Sequence, residues 1–218
     1  MYISKVIPEN NSYYLNLYNN QNRINNEHQL IWLLFNYNRD MDRDFIYQKK
    51  QTGEHTEFIV VSHRRPINVK GLKVITKNYD PKITTGERFK FNIEINPTIR
   101  SVKTKNKVSV WDYYYLQLFD KGCSQDQIKE KREEKVKDWA IAKMEKYGMT
   151  IEELEIESRY KYHINKSKNM FSSKIVYDVI SFVGILRVTN IKEFQEALFD
   201  GIGRCKGFGC GLLLVRRL

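Results

Sequence analysis

Cysteines and long apolar runs are scarce in this chain, and each scarcity excludes a class of protein. The 218 residues include 3 cysteines, none of which form a C-x-x-C pair, so neither a zinc site nor any other bound metal or cofactor is expected. A sparse, odd cysteine count suits a reducing cytoplasm. No apolar stretch approaches the ~20 residues of a membrane span, and the first residues do not resemble a signal peptide. We therefore expect a cytoplasmic protein that does not enter the membrane.

Acidic residues are also in deficit. The chain has 26 Asp and Glu residues against 37 Lys and Arg residues, which gives a net charge of +11, and 13% of its residues are aromatic. Excess positive charge combined with aromatic side chains is typical of proteins that bind nucleic acids. Charge alone also fits a protein-interaction module whose basic face meets an acidic partner. The composition therefore favours RNA or DNA as the partner and leaves the second class open.

Glycine is concentrated in one place. Five of the 11 glycines lie in Gly201–Gly211, with Arg204 and Lys206 between them. Such a loop can cradle a phosphate, or it can be a tight turn whose glycines let two backbones approach. The R-x-x-G-x-G pyrophosphate loop of acetyltransferases is excluded, because an apolar strand-like run, Leu212–Val215, follows where a helix is needed. A dinucleotide-binding G-x-G-x-x-G is excluded because Lys206 occupies the third glycine position.

The hydrophobic pattern predicts an α+β fold with two tandem ferredoxin-like (RRM-like, βαββαβ) domains and antiparallel sheets. In the first half, the order is strand, helix, two strands and a further strand, with the second helix short or missing. In the second half, strict alternation from Arg88 to Ile95 predicts a strand. The predicted domains are residues 1–80 and 87–218, and residues 81–86 form the linker.

Further elements complete the second predicted domain. A helical region in two parts is predicted at Trp111–Phe119 and Gln125–Tyr147, with a buried stripe on the second part at Val136, Trp139, Ala140, Ala142 and Met144. A long hairpin over Glu157–Ile180 and a helix over Ile191–Phe199 then lead to the glycine loop and the last strand.

The predicted hairpin carries a strongly basic stretch, Ser158–Tyr177, without any acidic residue. Residues i and i+2 of a strand share a face, so Arg159, Lys161 and His163 point one way and the interleaved tyrosines the other. Such a ribbon can grip the phosphates of a structured RNA; the alternative is a solvated surface hairpin. Its candidate RNA-binding residues are Arg159, Lys161, Lys166, Lys168 and Lys174.

His28 is the candidate catalytic residue. We predict that it lies in the first turn of a helix capped by Asn25 or Asn26, where the positive end of the helix dipole favours a neutral imidazole. A neutral imidazole can take a proton from an RNA 2′-hydroxyl, and the resulting alkoxide attacks the adjacent phosphate while nearby cations hold it. A histidine at this position can equally be a cap or a surface residue.

Four stretches resemble a known family. They are the opening strand Met1–Ile7, the segment Glu27–Phe35 followed by Arg43–Tyr47, the strand end Phe91–Pro97, and the loop Gly201–Val215 with the pattern G-x-G-x-x-K-x-x-G-x-G-L-L-x-V. The loop is the most specific of them. On these motifs the chain is similar along its whole length to CasE, the CRISPR-associated endoribonuclease family of type I-E systems.

The resemblance implies a function. CasE proteins have two ferredoxin-like domains and cut CRISPR precursor RNA at the base of the repeat hairpin without a metal, leaving a 2′,3′-cyclic phosphate or 3′-phosphate. They stay on the 3′ hairpin of the crRNA as a Cascade subunit, and we expect this chain to be monomeric by itself. His28 matches the catalytic histidine and Lys206 a lysine of the glycine loop; Arg204 is a further RNA-binding candidate. A non-catalytic RNA-hairpin-binding subunit on the same fold is the alternative.

The sequence departs from the CasE pattern at several positions. Asn25 stands where many members carry a tyrosine, and an amide cannot act as a general acid at neutral pH. Leu33 stands where some relatives carry a lysine. The Trp111–Lys131 segment resembles an insertion, either a partner-facing helix or an added core element. Substitutes for the missing acid are Tyr13, Tyr14, Tyr18 and Arg23, and weaker candidates for contacting the RNA strand are Arg64 and Arg65.

Overall fold

The structure, a computed structural model, describes residues 1–9, 23–36, 41–52, 55–102, 105–168 and 171–218. The side chains of residues 23–26, 52, 55 and 163–175 lie outside that description. The chain divides into two compact units built from separate segments. The first unit comprises Met1–Lys82, Lys161–Val176 and Phe199–Leu212, and the second comprises Ile83–Tyr160, Tyr177–Leu198 and Leu213–Leu218. The domain boundaries given above stay a prediction.

The first unit contains one four-stranded antiparallel sheet. Its strands have the order β2-β3-β1-β4, and β1 pairs with both β3 and β4. No helix occurs among residues 63–71, between β3 and β4, which confirms that the second helix is missing. The elements are β1 (Tyr2–Pro8), α1 (Arg23–Leu33), β2 (Phe45–Thr52), β3 (His55–Ser62) and β4 (Leu72–Asn78).

Helix α1 is held on this sheet by an apolar core. Leu30, Ile31 and Leu34 are fully buried, together with Phe58 and other side chains of the sheet. Burial of each such side chain contributes roughly 1.5–3 kcal/mol. The aromatic rings of Phe35 and Phe45 stack with centroids 4.8 Å apart. This packing fixes the rotation of α1 and therefore the direction in which its remaining side chains point.

Two ion pairs fix the surroundings of α1. Lys49 of β2 donates to Glu27 at 2.9 Å, with both side chains nearly buried. Arg64 donates to both carboxylate oxygens of Asp44, at 2.6 and 2.8 Å, and to the carbonyl of Phe35 at 3.1 Å. The hydrogen bonds from Arg64 lower the pKa of Asp44. Arg64 is thus engaged within the protein, whereas Arg65 is exposed.

The second unit repeats the same sheet order with strands β10-β5-β9-β8. The β5 strand matches its prediction residue for residue, and the hairpin is longer at both ends than predicted. The elements are β5 (Arg88–Ile95), β6 (Thr98–Arg100), β7 (Lys107–Ser109), α2 (Val110–Asp120), α3 (Gln125–Met144), β8 (Met149–Lys168), β9 (Phe171–Val188), α4 (Ile191–Asp200) and β10 (Leu213–Arg217). The prediction of two ferredoxin-like antiparallel sheets is confirmed.

Helix α2 and the first part of α3 occupy the Trp111–Lys131 segment that resembles an insertion. The Trp111 ring has the Arg132 guanidinium 4.2 Å from its centroid and the Arg159 guanidinium 4.8 Å from it. On α3, the buried stripe includes Val136, Ala140 and Met144, but the prediction was wrong for Ala142, which is exposed. Among the described residues, no helix is both long and apolar enough to cross a lipid bilayer.

Candidate active site

His28 and Trp32 lie one turn apart on α1. The indole Nε1–H of Trp32 donates to Nε2 of His28 at 3.0 Å. Because Nε2 accepts this hydrogen bond, the neutral imidazole carries its proton on Nδ1. Trp32 is itself nearly buried and packs edge-on against Phe45, with centroids 5.0 Å apart. The core of the first unit thus sets both the orientation and the tautomer of His28.

The glycine loop covers the other side of the imidazole. The Phe208 ring lies 5.7 Å from the His28 ring, tilted by 42°. A Cβ atom placed on Gly207 would lie 3.3 Å from Cε1 and 3.6 Å from Nδ1 of His28, so a glycine at this position permits the close approach. The hydroxyl of Tyr47, a fully buried residue of β2, donates to the Gly207 carbonyl at 3.3 Å. This bond anchors the loop beside His28.

The two ends of the glycine loop are clamped together. Ile202 N–H donates to the Gly211 carbonyl at 2.8 Å. Gly201 and Gly211 have φ angles of +72° and +88°, and a Cβ on either would come within 2.7 Å of a backbone oxygen. Only glycine fits this combination of left-handed backbone and close approach. The packing interpretation therefore holds at the ends of the loop, while its middle faces His28.

Burial lowers the pKa of His28 below its usual value. The backbone of Gly207 acts next in size and raises the pKa, and the positive charge of Arg43 lowers it again. Nδ1 is buried and forms no well-aligned hydrogen bond with any residue that the structure describes. The imidazole is therefore neutral at pH 7, as a general base must be.

The neutral state of His28 was predicted for the wrong reason. Helix α1 begins at Arg23, so neither Asn25 nor Asn26 is its cap and His28 lies in the second turn. The field of a helix terminus falls off within the first turn. Desolvation and the neighbouring guanidinium, which are both products of tertiary packing, replace the helix dipole as the cause.

A pocket whose walls carry both cations and carboxylates lies on the Arg43 side of the site. Its volume is about 200 Å³, and its lining includes Arg43, Lys206, His63 and Asp200. His63 Nε2 lies 3.6 Å from Asp200 Oδ1, and both side chains are more than half exposed. Among the described residues, no group of three or more His, Cys, Asp or Glu side chains is arranged to hold a metal ion.

Comparison with known families gives a match over almost the full length. The family described as "CRISPR associated protein" matches residues 1–217. The chain belongs to this family. The resemblance drawn from the four sequence motifs is thereby confirmed, and the His28 site can be considered within a family of CRISPR-associated proteins.

Three relatives of this CRISPR-associated protein illustrate the match. It is 27% identical over 198 residues to the CRISPR system Cascade subunit CasE of Escherichia coli strain K12, which covers 88% of this chain and 90% of that protein. The structure of CRISPR endoribonuclease Cse3 bound to 19-nucleotide RNA matches with a TM-score of 0.77 at 16% identity, over 99% of this chain and all of that one. The structure of the CRISPR-associated protein Cas6e from E. coli K-12 matches with a TM-score of 0.60 at 21% identity, over the full length of both chains.

The predicted RNA-binding residues of this CRISPR-associated protein lie in several places. Lys206 is half-buried in the pocket wall, Arg204 is exposed, and Lys161 is exposed on β8. Arg159 donates to Asp178 at 2.9 Å, so its charge is already partnered. Lys166, Lys168 and Lys174 lie on β8 and β9, and their side chains are outside the described residues, as are Tyr13, Tyr14, Tyr18 and the side chains of Arg23 and Asn25.

Sequence reasoning did not find Arg43, Trp32 or Tyr47 as site residues. Arg43 is adjacent to both His28 and Gly207, and Trp32 sets the imidazole tautomer. The sequence signal for Arg43 was its place at the start of the Arg43–Tyr47 motif. Nothing in the charge pattern distinguished it from the other arginines, because its proximity to residue 207 arises only on folding.

Proposed function

We propose that this protein is a CRISPR repeat endoribonuclease. It cuts precursor RNA at the base of the repeat hairpin without a metal ion and then remains on the crRNA as a Cascade subunit in the cytoplasm. Family membership and the names of its relatives, which include a Cascade subunit and a CRISPR endoribonuclease bound to RNA, support this function. The observation that carries it is an imidazole held by Trp32 on one side and by the glycine loop on the other, next to Arg43, which lines a pocket together with Lys206.

His28 acts first as the base in this mechanism. Nε2 of the neutral imidazole takes the proton of a substrate 2′-hydroxyl, and Trp32 yields its hydrogen bond to that atom. The 2′ oxygen attacks the adjacent phosphorus, and the bond from phosphorus to the 5′ oxygen breaks. A solvent water donates a proton to that leaving oxygen, and the His28 imidazolium returns its own proton to solvent. The products are a 2′,3′-cyclic phosphate, which can open to a 3′-phosphate, and a 5′-hydroxyl.

The hairpin formed by β8 and β9, with its basic residues, and the glycine loop hold the RNA. Residues 161–176 belong to the same compact unit as His28, and this grouping supports their role in binding the stem. Each phosphate contact releases counterions, so affinity falls steeply with salt. Arg159 contributes through a guanidinium that also donates to Asp178. The proposed RNA-binding set is Arg159, Lys161, Lys166, Lys168, Lys174, Arg204 and Lys206.

A non-catalytic RNA-hairpin-binding subunit is the second candidate. Asn25 favours it, because an asparagine cannot supply the proton that a tyrosine would donate to the leaving oxygen. On this alternative, His28 stabilises the glycine loop and the protein only caps the crRNA.

Incubation of the protein with a hairpin RNA carrying its own CRISPR repeat, in excess EDTA, separates the two candidates. We expect cleavage at one bond near the base of the stem, with a 5′-hydroxyl on the downstream fragment and a cyclic or 3′-phosphate on the upstream one. Mass spectrometry of the fragments identifies these ends. Tight, salt-dependent binding without cleavage would support the binding subunit, and affinity independent of salt and of hairpin sequence would support a protein-interaction module.

Replacement of Trp32 by phenylalanine tests the control of His28. Phe keeps an aromatic side chain in the core but removes the N–H that stabilises the neutral imidazole, so the pKa of His28 should rise. The wild-type rate should rise with pH to a plateau, with an apparent pKa below the usual value of a histidine, since a base works only when deprotonated. In the Trp32→Phe variant, the rising part of the pH–rate profile should move to higher pH, and the plateau rate should change little.

The Trp32 experiment needs single-turnover rates between pH 5 and 8. Trp139→Phe, on α3 of the second unit, is the matched control and should leave the profile in place. An unshifted profile for Trp32→Phe would show that the indole hydrogen bond does not control the titrating base.

A further inference from the structure

We infer that Arg43 binds the scissile phosphate, with Nη1 donating to a nonbridging oxygen. The inference rests on the proposed function and adds a residue to it, because neither the charge pattern nor the motif comparison assigned a role to Arg43. It follows from four features of the described residues: position, an unpaired donor, the shape of the pocket and the charge of its walls.

Arg43 is placed where a reacting phosphate must lie. A Cβ on Gly207 would be 3.2 Å from Arg43 Nη1 and 3.3 Å from His28 Cε1, so the guanidinium and the imidazole approach the same point of the glycine loop. The nucleophilic 2′ oxygen is bonded to the carbon next to the one that carries the 3′ phosphate. A base that reaches the hydroxyl therefore has that phosphate within a few ångströms, at the distance of a neighbouring side chain.

Nη1 of Arg43 has no hydrogen-bond partner among the residues that the structure describes. It is buried, and no carboxylate of those residues forms an ion pair with this guanidinium. Arg64 differs, because it is saturated by Asp44 and by the Phe35 carbonyl. Burial of a cation without a counter-charge is unfavourable. A phosphate anion would supply both the charge and the acceptor, and a guanidinium suits it because its N–H groups form a planar fork.

A pocket on the Arg43 side of the site supplies room and a second cation. Arg43 and Lys206 both line it. Its carboxylates are Asp44, which is paired with Arg64, and Asp200, which lies beside His63. The volume of about 200 Å³ can admit a phosphate with part of its nucleotide. Negative charge grows on the nonbridging oxygens as the 2′ oxygen attacks, so a donor held here stabilises the transition state more than the ground state.

The test uses Arg43→Ala and an RNA with sulfur in place of one nonbridging oxygen of the scissile phosphate. We expect the single-turnover rate on normal RNA to fall by about 10²-fold, as for the loss of one oxyanion donor. In wild type, one of the two sulfur diastereomers should react slowly; in Arg43→Ala that difference should largely disappear. Added guanidinium chloride should restore part of the rate of the variant, and Arg43→Lys should be intermediate.

Controls separate this role from others. Arg216→Ala removes an exposed arginine of β10 and should match wild type in rate and in sulfur effect. The thermal unfolding midpoint of Arg43→Ala shows whether the variant is folded. Its affinity for a 2′-deoxy repeat RNA, which cannot react, shows whether it binds. If the alanine variant does not fold, Arg43→Lys is used for the same measurements.

Each remaining outcome overturns the inference. A normal plateau rate with only a displaced pH profile would show that Arg43 acts solely on the pKa of His28. A slow variant that keeps the sulfur effect and is not rescued by guanidinium would show a structural role. If wild type cleaves RNA and Arg43→Ala cleaves it equally fast, the role of Arg43 is refuted and the proposed function stands. If wild type binds RNA without cutting it, the proposed function and this inference are both refuted.

Discussion

Replacement of His28 by alanine is expected to lower the single-turnover rate of repeat-RNA cleavage by about 10²–10⁴-fold, the usual contribution of a general acid or base. Alanine removes the imidazole that takes the proton in this mechanism, whose pKa is lowered by burial and by Arg43. The affinity for uncleavable 2′-deoxy RNA should change little, because a neutral imidazole adds no charge to the phosphate contacts.

The His28 measurement is made in EDTA, at pH 7 and at saturating enzyme. Gln29→Ala is the matched control: it changes an exposed neighbour on the same helix and should retain the wild-type rate. If His28→Ala cleaves as fast as wild type, His28 is not the base and the mechanism proposed above is wrong. If both binding and cleavage are lost, circular dichroism must show a folded chain before any role in chemistry is assigned.

Replacement of Gly211 by alanine is expected to destabilise the first unit by about 3 kcal/mol. Two costs combine in this estimate: a left-handed backbone at φ +88° costs an L-residue about 1–2 kcal/mol, and a Cβ only 2.6 Å from the Ile202 carbonyl oxygen forces the clamp of the loop apart. The contact of Gly207 with His28 depends on this clamp. Cleavage should therefore fall together with stability.

Comparison with Gly209→Ala separates the cost of the close approach to Ile202 from the cost of the left-handed backbone. The φ of Gly209, +85°, is nearly the same, but its Cβ would meet Tyr47 at 3.4 Å, an ordinary contact distance. We expect this control to lose about 1 kcal/mol from backbone strain alone. Urea unfolding followed by circular dichroism and tryptophan fluorescence compares the two variants. Equal losses would mean that the close approach to Ile202 adds nothing, and the clamp would not explain why glycine occupies position 211.

Local patterns predicted much of the fold correctly. Strand β5 follows directly from the alternation of Phe89, Phe91, Ile93 and Ile95, all of which are buried. When apolar and polar residues alternate along a strand and one face of the sheet is covered, only one register buries the apolar residues. Tertiary packing therefore could not change which residues of β5 face the core. A short or missing helix between β3 and β4 was likewise predicted from the order of elements, and residues 63–71, which include Pro66, contain no helix.

Element ends were predicted less well. The hairpin was expected over Glu157–Ile180 but extends over Met149–Val188. Its first residues carry Glu152, Glu153 and Glu155, which lowered the strand signal. They lie on β8, the outermost strand of its sheet, where one edge needs no partner and charged side chains reach water. Glu152 also accepts from Arg88 and Arg187, contacts that a local pattern cannot contain.

The sequence by itself determined the family, the two sheets and the identity of one catalytic candidate, because these depend on residue spacing within short segments. Tertiary structure alone decided the environment of that candidate. Burial and Arg43 lower the pKa of His28, Trp32 selects its tautomer, and Gly207 lies against its ring although 179 positions separate the two in sequence. Electric fields and desolvation depend on distance in space, and a hydrophobic pattern does not encode the distance between segments that meet only after folding.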